Sequence, residues 1–298
     1  MQRAVSVLRH EEAGTSSSPD KLRQLIALAL LPLLLGGCAS LTRQMLYKPD
    51  SEPVIASWIA QPPEMVTARS GNGVELKGYF WPGAEGDRDV IIFFHGRNWT
   101  ASRSAGAAQH LAGAGNAVLV ASYRGFGDNP GHPSEDGMIE DAEAFISLAR
   151  ERAGPDARIW LIGHSIGAAV VLHAAADPRV NGVFALSAFP RMAAAAPRVA
   201  RAFIPDRWDN VEALGTLHKP VIIMQGALDR FVPDDSGDVL FSAYRGPASL
   251  IVGEQSRHNP DLAILAPWLH AAIASMQSGS LGALPPPPTG WVEKVRRP

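Results

Sequence analysis

One cysteine, Cys38, stands in 298 residues, which excludes a disulfide within the chain. Charge is also scarce: Asp, Glu, Lys and Arg make up 19% of the residues, and 27 basic against 29 acidic groups leave a formal net charge of −2. That balance offers no global attraction to a polyanion, so no nucleic acid partner is expected. Lysine is rare, five residues against 22 arginines, and the arginines are scattered along the chain. No apolar run reaches the roughly 20 residues that cross a bilayer. No phosphate-binding glycine loop, paired metal-ligand motif or dinucleotide fingerprint occurs, so the reading expects neither metal nor cofactor. What is present is enough chain to bury a large core without a staple.

The N-terminus gives the single cysteine a meaning. Lys21 and Arg23 precede an apolar stretch from Leu25 to Leu35, broken by Pro32, then Gly36, Gly37 and Cys38. A basic region, a short apolar core and small residues describe a secretory signal. Leu35-Gly36-Gly37-Cys38 resembles a bacterial lipobox, in which the cysteine is lipidated and the signal is cut before it. Residues 1–37 are therefore predicted to be a removed lipoprotein signal peptide. Ala39, where an aspartate would suggest inner-membrane retention, points to an outer-membrane anchor facing the periplasm. Residues 38–63, with Pro49, Pro53, Pro62 and Pro63, read as a tether. Residues 278–298, with four consecutive prolines from Pro285, read as a disordered tail.

Between these ends, residues 64–277 read as one catalytic domain. Short apolar, partly β-branched runs (Val90–Phe94, Ala117–Ser122, Arg158–Gly163, Val180–Ser187, Val221–Gln225, Ser249–Val252) alternate with helical stretches at Ile139–Arg152, Ile166–Ala176, Ser236–Tyr244 and Leu262–Met276. Ser134 followed by Glu135 and Asp136 suits a helix start. The alternation predicts an α/β fold with a mostly parallel central sheet and helices on both faces. Val66–Ala68 and Glu75–Trp81, joined by the turn Ser70-Gly71-Asn72-Gly73, predict an antiparallel preface.

Reactive groups in such sheets gather at the carboxyl ends of the strands. The run Arg158–Gly163 leads through Gly163-His164-Ser165-Ile166-Gly167 directly into a helix, which is a G-x-S-x-G pattern in the strand–turn–helix setting it requires. Such a turn lifts a serine hydroxyl clear of the backbone and aims helix N–H groups at the same point. A serine needs a base, and the base needs an orienting acid. Asp229 follows the strand end at Gln225, and His258 follows the next apolar run, in the order Ser, Asp, His. Asp206 and Asp209 are rival acids. Asp234 and Asp235 suit helix capping better. His164 is read as shaping the turn. The oxyanion of an acyl-transfer intermediate would need two donors: the Ile166 N–H, and the Arg97 N–H, with Asn98 as runner-up, from the loop after Phe94.

These residues resemble the α/β-hydrolase superfamily, and within it the Bem46-like, α/β-hydrolase domain 13-like serine hydrolases, from about Val66 to Met276. The most specific stretch is Tyr123-Arg124-Gly125-Phe126-Gly127 followed by Pro133-Ser134-Glu135-Asp136-Gly137, similar to the group's "YRGYG…PSE.G" segment. The resemblance implies an α/β-hydrolase fold and the same triad of Ser165, Asp229 and His258. Gln225 departs from a usual histidine, and Arg257 from a common glycine before the triad histidine. The short connection from Phe189 to Val221 predicts a minimal cap, with a small apolar helix from Ala193 to Phe203. The expected function is cleavage of small-molecule or lipid carboxylic esters or thioesters through an acyl-enzyme at Ser165, as in carboxylesterases and thioesterases. The alternatives are an amidase or peptidase with the same triad, or a non-catalytic envelope lipoprotein that uses the fold as a scaffold. The membrane is expected as a partner through Cys38.

Overall fold

The computed structural model describes residues 42–49, 57–59, 61–192, 204–277, 281–282 and 284–298. The predicted signal peptide, Cys38 and the cap residues 193–203 lie outside that set. Its described strands form a nine-stranded sheet in the order β1-β2-β4-β3-β5-β6-β7-β8-β9. The strands are β1 Glu64–Arg69, β2 Glu75–Trp81, β3 Asp89–Phe94, β4 Ala117–Ala121, β5 Arg158–His164, β6 Val180–Leu186, β7 Val221–Gly226, β8 Ala248–Gly253 and β9 Trp291–Arg297. From β4 through β8 every pairing is parallel; β1, β2 and β9 add antiparallel edges. Strands β3, β4 and β7 are buried at every position, as expected where both faces are covered.

The covering helices are α1 Ala101–Ala108, α2 Glu135–Ala153, α3 Ile166–Ala174, α4 Asn210–Gly215, α5 Ser236–Ala243 and α6 Leu262–Met276. One apolar cluster packs α2 to α5 against one face, with Phe145, Val170, Leu214 and Leu240 among its buried members. A second sets α1 and α6 against the other through Ala105, Leu265 and Leu269. The chain is thus a mostly parallel sheet between two helical layers, the arrangement of an α/β-hydrolase. Ser134 caps α2 by accepting from the Gly137 N–H at 3.2 Å. Asp235 occupies the cap position of α5, but its side chain makes no capping hydrogen bond, contrary to expectation.

Both end segments differ from the reading as a tether and a disordered tail. Residues 42–46 form a helical turn, and Tyr47 is only 1% exposed in the core. Trp58 packs against Tyr79 and Trp81 of β2. At the other end Trp291–Arg297 pairs antiparallel with β8, so the folded sheet extends well past 277. The prolines before it concealed this strand: proline has no donor for a sheet ladder, but it ends at Pro288, and Gly290 with φ +81° turns the chain onto the edge.

The Tyr123–Gly137 stretch is a brace rather than a reactive element. Arg124 sends Nε and Nη2 to Asp141 at 3.0 and 2.7 Å, while its own N–H reaches the same carboxylate at 2.8 Å. A side chain at Gly137 would meet Arg124 Cδ at 2.8 Å, so glycine is required there. Tyr123 Oη donates to the His95 carbonyl at 3.0 Å and holds the loop after β3.

Candidate active site

Ser165 lies between the last residue of β5 and the first of α3, at φ 57° and ψ −117°. A non-glycine residue there costs on the order of 1–3 kcal/mol and persists only where its surroundings enforce it. The two glycines of the motif show how. A Cβ on Gly163 would sit 2.2 Å from the Gly167 carbonyl oxygen, and one on Gly167 would sit 2.2 Å from the Phe94 carbonyl oxygen. No other residue allows α3 to close this tightly on β5 and β3.

His258 joins Ser165 to Asp229. Its Nε2 lies 3.0 Å from Ser165 Oγ, and its Nδ1 lies 2.8 Å from Asp229 Oδ2. The carboxylate of Asp229 only accepts, so Nδ1 carries the proton and Nε2 is left to face the serine. Asp229 is 5% exposed, and its other oxygen accepts from the Phe231 and Val232 N–H groups at 2.8 and 3.2 Å. Burial alone would raise this carboxyl, but those bonds and the one from His258 outweigh it and hold it below its ordinary value. The two loops that meet here are stitched by the Leu228 N–H to the Ser256 carbonyl at 2.9 Å.

The rival acids are otherwise engaged. Asp206 is paired with Arg43, and Asp209 caps α4 through the Glu212 N–H while pairing with Arg191. Gln225, the departure from histidine, accepts from the Gly237 N–H at 2.6 Å and donates to the Pro233 carbonyl at 3.1 Å, fixing the loop after Asp229.

Sequence reasoning missed a grip on the base. The His258 carbonyl accepts from His164 Nε2 and from Ser187 Oγ, each at 2.8 Å. A carbonyl only accepts, so His164 carries its proton on Nε2. Its buried Nδ1 has no partner among the described residues. Burial first, then the neighbouring His258, pushes His164 down to about 4, so it stays neutral at pH 7. Ser187 sits at φ 51° at the end of β6. That positive φ on a serine leaves no signal in the sequence.

A cavity of about 180 Å³ opens at Ser165, walled by Leu46, Ile166, Phe189, Met192, Phe231 and Val232, with Arg97 and Arg191 at its polar positions. Ile166 and Arg97 both border it, and Asn98 does not. A second hollow of about 540 Å³ is also bordered by His258, with Arg230, Phe231 and Arg257. Among the described residues no group of His, Cys, Asp and Glu could hold a metal ion.

Comparison with known proteins agrees with this fold. A family model described as serine aminopeptidase, S33, matches residues 86–206. Uncharacterized protein Rv2307c of Mycobacterium tuberculosis is 29% identical over 258 residues, covering 82% of this chain and 92% of that protein. Human protein ABHD12B is 27% identical over 208 residues, 60% of this chain and 57% of its own. Among solved structures, the esterase Pf2001 of Pyrococcus furiosus superposes with a TM-score of 0.60 at 17% identity, over 79% of this chain and 99% of that one. Together with the fold, these similarities support an α/β-hydrolase architecture and a hydrolase.

Proposed function

We propose that the protein is a serine hydrolase that cleaves carboxylic esters or thioesters through an acyl-enzyme. The observation that carries this reading is the unbroken row from Ser165 Oγ through His258 to Asp229, with the serine held on a strained turn beside an apolar cavity. Ser165 Oγ attacks the acyl carbon while His258 Nε2 takes its proton, and Asp229 holds the imidazolium that forms. The resulting oxyanion is stabilised by the N–H groups of Ile166 and Arg97. Collapse expels the alcohol or thiol, which leaves with the proton from His258. Water, deprotonated by the same nitrogen, then attacks the acyl-serine, releasing the acid and restoring Ser165. No external acceptor other than water is needed.

The family model's description favours a second reading, removal of an N-terminal amino acid. An aminopeptidase needs an acceptor for the substrate's ammonium group. Among the described residues the wall of the Ser165 cavity offers arginines and apolar groups but no carboxylate, so esters are the better fit. Ser165→Ala should cut p-nitrophenyl ester turnover by about 10⁴-fold or more and abolish fluorophosphonate labelling. Unchanged turnover in the folded variant refutes the proposal, and faster wild-type cleavage of aminoacyl anilides than of esters would favour the aminopeptidase.

The lipobox-like segment supports an outer-membrane, periplasm-facing protein anchored through Cys38. Cys38→Ser should move the protein from the membrane fraction to the soluble one; unchanged partition rules out lipidation as the anchor.

A further inference from the structure

The segment between the proposed anchor and the catalytic unit reaches the active site itself. Tyr47 is buried, and its hydroxyl accepts from Trp208 Nε1 at 2.8 Å. Four residues earlier, Arg43 grips buried Asp206 through Nε and Nη2 at 3.0 and 2.9 Å. These two attachments bracket Leu46, which is half-buried and borders the same cavity as Ser165. Just beyond, the Lys48 N–H donates to the Arg97 carbonyl at 3.2 Å, on the loop that carries the second proposed oxyanion donor.

We propose that residues 42–48 are a strap built into the substrate site, and that Leu46 is a specificity-determining residue against which the acyl chain packs. This rests on the serine-hydrolase reading. Three of the other apolar walls are tied to the chemistry: Ile166 follows the nucleophile, and the Phe231 and Val232 N–H groups hold Asp229. Leu46 comes from a segment of the chain far from the triad in sequence, so its size can change while the triad stays intact. The strap is held by an ion pair to a buried carboxylate and by a buried phenol, so the position of Leu46 is defined. A branched aliphatic side chain at the wall of an apolar cavity discriminates by volume, and a change of a few methyl groups there shifts selectivity measurably.

The test uses the full-length chain with Leu46→Ala and Leu46→Trp, and measures kcat and KM on p-nitrophenyl acetate, butyrate, octanoate and dodecanoate. The octanoate-to-butyrate ratio of kcat/KM should rise about tenfold in the alanine variant and fall about tenfold in the tryptophan variant. Opposite shifts from smaller and larger side chains are a signature that a merely structural role would not produce. Should Leu46→Trp fail to fold, Leu46→Ala decides alone. Fluorophosphonate labelling is measured in parallel. A ratio that stays at its wild-type value while Ser165 labels normally overturns the role of Leu46; absence of labelling in the wild type overturns the serine-hydrolase reading instead.

Discussion

Among the described residues two serine hydroxyls meet a histidine ring nitrogen at nearly equal distances. Ser165 and His258 meet at 3.0 Å, and Ser122 and His95 meet at 2.9 Å. In the first, the far nitrogen of the imidazole faces a carboxylate at the rim of a cavity. In the second it faces the Gly96 carbonyl at 2.8 Å, both side chains have no solvent exposure, and burial pushes the imidazole down to about 4. A carbonyl fixes the tautomer as well as a carboxylate does, but it carries no full charge to stabilise an imidazolium. The His95 pair therefore cannot accept a proton at little cost, and nothing can reach it. It serves instead to hold Gly96, beside which Arg97 offers its N–H. Pairing alone does not make a nucleophile; the charge behind the base and access in front of it do.

Acid is the strongest way to test the buried side of this comparison. His95 and His164 are both held near 4, while the same groups titrate near 6.5 once unfolded. Between those values the unfolded chain binds more protons than the folded one, so stability falls as pH drops from about 6.5 to about 4, by up to roughly 3 kcal/mol for each histidine. Asp229 does not cancel this. Its depressed value stabilises the fold above its unfolded pKa, and that contribution is lost only at still lower pH. Denaturant unfolding between pH 7 and pH 4 should show the decline, and His164→Gln should flatten it; parallel wild-type and variant profiles would show that His164 is not held neutral.

A smaller effect is expected from the pair itself. Ser122→Ala leaves His95 Nε2 as a buried acceptor without a partner, at a cost of about 1–3 kcal/mol. That lowers the melting temperature by about 2–4 °C per kcal/mol in a chain of this size. Fluorophosphonate should still label Ser165 in this variant. If labelling disappears while the fold survives, the buried pair belongs to the reactive machinery and the contrast drawn above is wrong.

Much of the site was legible because its signals are local. The G-x-S-x-G spacing between an apolar strand and a helix located Ser165, since only glycine fits where a Cβ would strike the Gly167 or Phe94 carbonyl. Asp229 and His258 were readable from their places after strands β7 and β8. What was not legible depends on partners far apart in the chain. Arg43 and Asp206 are 163 residues apart, Tyr47 and Trp208 are 161, and the Ser187 hydroxyl lies 71 residues from the carbonyl that it grips. The β9 strand offered a fainter signal: Trp291, Val292 and Val295 stand among charged residues, but the proline run before them dominated the composition.

Periodicity, glycine placement and the order of Ser, Asp and His therefore determined the layers of the fold and the three groups proposed to react, because each follows from short-range sterics or from where a strand ends. The tertiary structure decided which acid His258 faces, which donors hold its carbonyl, and that Leu46 borders the cavity at Ser165. Those outcomes depend on strand order and on how loops meet across the sheet edge, and no window of the sequence contains both sides of such a contact.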